Sequence, residues 1–143
     1  MDIRYISAVR KISAILVCVF FASSLLSSCG NNRKEQIDKA CTLVDFAWDT
    51  YSKGFLSEVQ ARNLNIFSAS EQISAIATQY IPETTKYLNE AGMIFRDLSA
   101  SDSGFAEYAT AAFTTAQLTA FWWGRDDGFE SAIDSLYYFC GSN

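Results

Sequence analysis

Residues 35–51 read EQIDKACTLVDFAWDTY, and their spacing decides the fold. Ile37, Cys41, Val44, Trp48 and Tyr51 recur at intervals of 4, 3, 4 and 3, which places them on one stripe of an α-helix. Asp38, Asp45 and Asp49 fall on the other side, so the helix is amphipathic and its apolar stripe needs a partner. Near the end of the chain, Phe129, Ile133, Leu136 and Cys140 repeat the intervals 4, 3 and 4. Each stripe carries one cysteine.

Between these two helices the same period persists, broken by local stop signals. Lys53 and Gly54 predict the end of the first helix, a cation in the last turn followed by a residue suited to the C-terminal cap. Ser57 and Gln60 have capping-box spacing and open a short helix to about Leu64. Ser68 and Glu71 open another, with Ile73, Ile76, Ala77 and Tyr80 on one face. Pro82 disfavours helical geometry at Ile81 and suits a first turn, so it predicts a boundary and a new helix to Leu98. That helix carries Gly92 inside it, at about 1 kcal/mol relative to alanine. After the serine-rich turn at 99–103, Gly104 to Trp123 keeps a helical period rich in alanine. Gly124 is the expected cap, and Asp127 with Glu130 resembles an acidic capping box for the last helix. No run alternates strictly between apolar and polar residues. The expected fold is all-α, a small bundle of five or six helices.

The first 28 residues have a different character. Arg4, Arg10 and Lys11 give a basic start. Ile12 to Leu26 is a mostly apolar run of fifteen residues, short of the roughly 20 that a spanning helix needs. Ser23, Ser24, Ser27 and Ser28 close it with small side chains. Leu26-Ser27-Ser28-Cys29 resembles the lipobox of bacterial lipoprotein precursors, which reads Leu, a small residue, then Gly, Ala or Ser, then Cys. The resemblance implies a signal peptide at 1–28 and cleavage before Cys29. It also implies diacylglyceryl on the Cys29 sulfur, with palmitate-type acyl chains as the membrane anchor. Residues 29–34 would then be a short polar tether and 35–143 the helical domain. Two or more acyl chains hold a protein stably at a bilayer without crossing it. The expected location is the extracytoplasmic face of a membrane in the cell envelope. Gly30 is not the aspartate of an inner-membrane retention signal, so the outer membrane is favoured in hosts that have one.

Trimming at Cys29 sharpens the rest. Three of the 11 Lys and Arg and one of the 16 Asp and Glu precede it, leaving 8 and 15 and a net charge of −7. That balance argues against nucleic acid, where neutralisation of phosphates supplies most of the affinity. Of the cysteines, Cys18 leaves with the signal peptide and Cys29 carries lipid, so Cys41 and Cys140 remain as a pair. An exported compartment permits their oxidation, which would join the first and last helices by a disulfide.

Catalytic motifs are scarce. The chain has no histidine, which excludes Ser-His-Asp and Cys-His nucleophiles and His-ligated metals. The seven glycines are scattered and build no phosphate loop. Asp126, Asp127, Glu130 and Asp134 cluster at the last helix, but the stretch lacks the alternating oxygen ligands of an EF-hand. These carboxylates read as a solvated face and helix caps, and no cofactor, metal or catalytic residue is expected. What stands out is aromatic: Phe121, Trp122, Trp123, Phe129 and Tyr138, a candidate binding patch around the last two helices. The expected function is a non-catalytic binding or interaction module that meets an envelope protein or other envelope component through a helical surface. The alternative is a carrier of a small apolar ligand or lipid, held between the last two helices.

Overall fold

The computed structural model describes residues 32–66, 71–123 and 127–141; the signal segment, the lipobox with Cys29, Ser68 and Gly124 lie outside them. Gln36–Asn143 forms one compact unit. The described residues contain no strand and form four helices rather than five or six. They are α1 at 32–61, α2 at Glu71–Ser99, α3 at Phe105–Trp122 and α4 at Asp127–Gly141.

The first correction to the helix count is at Gly54, which does not end a helix. There α1 widens into a π-helical stretch over Thr50–Leu56 and returns to α-helix over Ser57–Ala61, with Ser57 in helical geometry. The glycine serves packing instead: a Cβ built on it would lie 2.6 Å from Cδ1 of Tyr80. With that ring seated against the backbone, the Tyr80 hydroxyl donates to Glu58 Oε2 at 2.8 Å. The helix ends a turn later, where Asn63 takes the left-handed φ of 52°. The Asn63 and Leu64 amides donate to the carbonyls of Gln60 and Val59 at 2.9 and 3.0 Å.

The second correction is at Pro82, which lies inside α2, a helix of 29 residues. An interior proline removes one backbone donor, here for the Thr78 carbonyl, and costs about 3 kcal/mol. Tertiary burial outweighs this. Pro82 itself is exposed, while Ile73, Ile76, Ala77, Ile81, Thr84, Leu88, Ala91 and Phe95 form one buried stripe that a break would split. The Thr84 hydroxyl donates to the Tyr80 carbonyl at 3.0 Å, so this buried side chain is satisfied within its own helix.

Helices α2 and α3 pack along their length because small residues let them approach. Ala109, Ala112 and Ala116 are buried on α3, and Gly92 on α2 faces Phe113, whose Cε1 would lie 2.8 Å from an added Cβ. The ring therefore occupies the space that the glycine leaves, which accounts for its place in mid-helix. Thr115 and Thr119, fully buried on α3, donate to the carbonyls of Ala111 and Thr115 at 2.8 and 2.7 Å.

On α1 the buried core runs through Ala40, Val44, Ala47, Tyr51 and Phe55, with Ile37, Cys41 and Trp48 packed at its edge. Phe129, Ile133 and Leu136 of α4 are buried in the same core. Cys41 and Cys140 are bonded, 99 positions apart in sequence, with their Cα atoms 5.3 Å apart.

Two substitutions test these assignments. Pro82→Ala restores a helix donor at an exposed position and should raise unfolding free energy by roughly 1–3 kcal/mol, read from the urea midpoint; a fall would show that the packing needs the proline. Gly54→Ala would gain about 1 kcal/mol from helix propensity alone, yet should lower stability by about 1–3 kcal/mol by displacing Tyr80. Gly141→Ala, with nothing within 4 Å of the added carbon, is its control.

Candidate functional site

The aromatic residues that cluster in sequence separate in space. Phe129 is buried in the core, its ring centroid 5.1 Å from that of Tyr51 on α1. Phe121 and Tyr138 are 76% and 82% exposed. They lie towards opposite ends of the α3–α4 hairpin, in which Tyr108 near the start of α3 stacks on Phe139 near the end of α4 at 4.1 Å. By helical rise, Tyr138 is about 16 Å along α4 from its first residue. The Trp122 side chain lies outside the described residues.

Trp123 is half-buried and ends α3 in the left-handed region, with φ 53°, and its amide donates to the Thr119 carbonyl at 3.0 Å. The helix therefore turns one residue before Gly124, on a bulky side chain for which this geometry costs of order 1–3 kcal/mol. What holds it comes from another helix: the Tyr51 hydroxyl donates to the Trp123 carbonyl at 2.8 Å. Burial pushes the Tyr51 phenol up to about 12.

Around Tyr51 the rings of two helices meet. Trp48 packs edge-on against Tyr137 at 5.6 Å, and Tyr51 contacts Phe55 at 5.7 Å. Trp48 and Tyr51 border a cleft of about 390 Å³ between α1 and α4, lined also by Leu56, Ile66, Phe129, Ile133 and Asp134. Tyr51 and Phe129, both buried, make its floor, and the exposed Asp134 stands at its rim. Burial, and then the carboxylates of Asp45 and Asp49, hold the Tyr137 phenol well above its ordinary range. Beneath the cleft the core is closed, leaving a void of only about 10 Å³ beside Thr84, Thr115 and Thr119.

The groove between α3 and α4 is of another kind. It encloses about 550 Å³ and is lined by small and polar residues, among them Thr110, Ala111, Thr114, Ser131, Ala132 and Ser135. Apart from the exposed Tyr138, the rings of the last helix turn instead towards α1, through Phe129 and Tyr137, or join Phe95, Phe105 and Tyr108 through Phe139. Sequence reading missed Trp48 and Tyr51 as lining residues because they sit on the apolar stripe, where a core residue and the wall of a cleft carry the same periodic signal.

No known family model matches the chain, and no curated protein or solved structure shows significant similarity to it. Among the described residues, no helix is long and apolar enough to cross a membrane.

The raised phenols give a pH dependence with a defined sign. A folded-state value above the ordinary 10.0 means that the stability contributed by neutral Tyr51 is complete below about pH 10 and is lost as pH rises through about 12. Tyr137 acts in the same direction. The urea midpoint should therefore fall between about pH 10 and 12. Tyr51→Phe should make that fall shallower, while costing about 1 kcal/mol at neutral pH through the lost hydrogen bond; identical pH profiles would contradict the assignment.

Proposed function

We propose that this chain is a lipid-anchored, extracytoplasmic lipoprotein of a bacterial cell envelope, whose helical domain is a non-catalytic binding or interaction module. The observation that carries the reading is Leu26-Ser27-Ser28-Cys29, placed directly after a basic start and a short apolar core. The Cys41–Cys140 bond supports it, since such bonds persist in exported compartments and are rare in reducing ones. Cys29 with its palmitate-type chains is the contact with the membrane, the outer one in hosts that have two. A net charge of −7 after Cys29 favours protein or small-molecule partners over nucleic acid. The non-catalytic reading draws on the cleft, where Asp134 is the single carboxylate among the described lining residues, whereas hydrolysis by carboxylates takes a facing pair.

A second reading, a carrier of a small apolar ligand, is favoured by one observation. The α1–α4 cleft, at about 390 Å³, lies within the range of roughly 300–1,000 Å³ typical of ligand sites.

The anchor is tested in cells fed an alkyne-tagged fatty acid. The wild-type chain should take up label and partition with membranes, and Cys29→Ala should lose the label and accumulate as uncleaved precursor. Label that persists on the alanine variant would overturn the proposal.

A further inference from the structure

We propose that the cleft between α1 and α4 binds a small organic cation, an ammonium group on an apolar body, with Trp48 as its aromatic wall, Tyr51 and Phe129 as its floor and Asp134 as the counter-charge. The inference rests on the domain being a binding module, and it is independent of the lipid anchor.

Shape, wall chemistry and charge each narrow the occupant. The cleft holds about 390 Å³ against about 10 Å³ in the core beneath, so a ligand of modest size is taken at the surface and not enclosed. Its walls are aromatic and aliphatic, and its one ionic group among the described residues is Asp134. No other described residue forms an ion pair with that carboxylate, whereas Asp49, one turn from Lys53, already holds it at 2.8 Å. Asp45 and Asp49 act on Tyr137, whose ring packs edge-on against Trp48. The tryptophan therefore shares the cleft with Asp134 and packs on a ring that feels the field of Asp45 and Asp49. Anions are repelled from such a place. A neutral apolar molecule would use the walls and leave the acidic rim idle. A cation with an apolar body uses both, since aromatic faces attract cations by about 0.5–2 kcal/mol and a nearby carboxylate adds to that. The frame is also built in advance: the Cys41–Cys140 bond joins the two helices that form it, and the Tyr51–Trp123 hydrogen bond ties α1 to the end of α3.

The test is calorimetric titration of the full lipidated chain in lipid nanodiscs, with empty nanodiscs as the blank. The probes are benzyltrimethylammonium, benzyl alcohol and benzoate. The ammonium should bind saturably, benzyl alcohol at least about fivefold more weakly, and benzoate not at all, on the strength of the cation–aromatic term. Asp134→Asn and Trp48→Leu should each weaken the ammonium by about five- to tenfold, with native helical circular dichroism and an intact disulfide by mass confirming the fold. Equal binding of benzyl alcohol, an Asp134→Asn variant that binds like wild type, or no saturable binding of the ammonium would each overturn the assignment. Failure of the broader reading looks different. If cross-linking in the native membrane captures an envelope protein through Phe121 while the cleft binds nothing, the module stands and the cleft assignment falls.

Discussion

The structure depends on the way α4 is held against α1. A helix of 15 residues is marginal by itself in water, and α4 takes its place by burying Phe129, Ile133 and Leu136. It is secured at both ends by unlike means. Near its C-terminus the bond from Cys140 to Cys41 closes a loop of about 100 residues, and in the chain-entropy model this removes about 4–5 kcal/mol of freedom from the unfolded state. At its N-terminus the Tyr51 hydroxyl holds the Trp123 carbonyl, four residues before α4 begins, and the Tyr51 ring packs on Phe129. Between these two fastenings lies the cleft, lined from α1 by Trp48 and Tyr51 and from α4 by Phe129, Ile133 and Asp134.

The same arrangement explains which parts of the fold were legible in sequence. The stripes of α1 and α4 were, because a repeat of 4 and 3 follows from helical geometry and each carries its cysteine at a stripe position. The deeper core of α1 was not. Ala40 and Ala47 are fully or almost fully buried, while Cys41 and Trp48 sit at the edge. Alanine gives only a weak hydropathy signal, so close helix approach leaves little trace in a periodic pattern. Gly54 and Pro82 misled for a related reason. Both are strong local punctuation, yet each has a tertiary reason to lie mid-helix. Gly54 gives the Tyr80 ring a seat, and Pro82 points to solvent from a helix whose other face is continuously buried. Local preferences of about 1–3 kcal/mol yield when a whole stripe would be lost by obeying them.

Aromatic residues show what sequence adjacency cannot supply. Phe121, Trp122 and Trp123 are neighbours in the chain, but successive positions on a helix point about 100° apart, so adjacency scatters rings instead of gathering them. The gathering is done by tertiary structure, in two places. Trp48, Tyr51, Phe55, Phe129 and Tyr137 meet at the α1–α4 seam, and Phe95, Phe105, Tyr108 and Phe139 meet where α2, α3 and α4 converge. The second cluster is internal packing. The first remains open on one side, which is why it forms a cleft.

Charge gives that opening its character. Carboxylates on one side of α1 read in sequence as a solvated face, a sound reading of one helix taken alone. Packing changes their neighbours. Tyr137 of α4 lies within reach of Asp45 and Asp49, and Asp134 stands one turn before it on the rim of the cleft. Carboxylates on separate helices thus act on one aromatic seam, Asp45 and Asp49 on Tyr137 and Asp134 at the rim of the cleft. The Lys53–Asp49 pair is exposed, with side chains 75% and 53% accessible, so solvent screens its attraction and it offsets little of that field. The cation preference proposed for the cleft rests on the pairing of α1 with α4, and neither helix alone carries all the rings and the carboxylate.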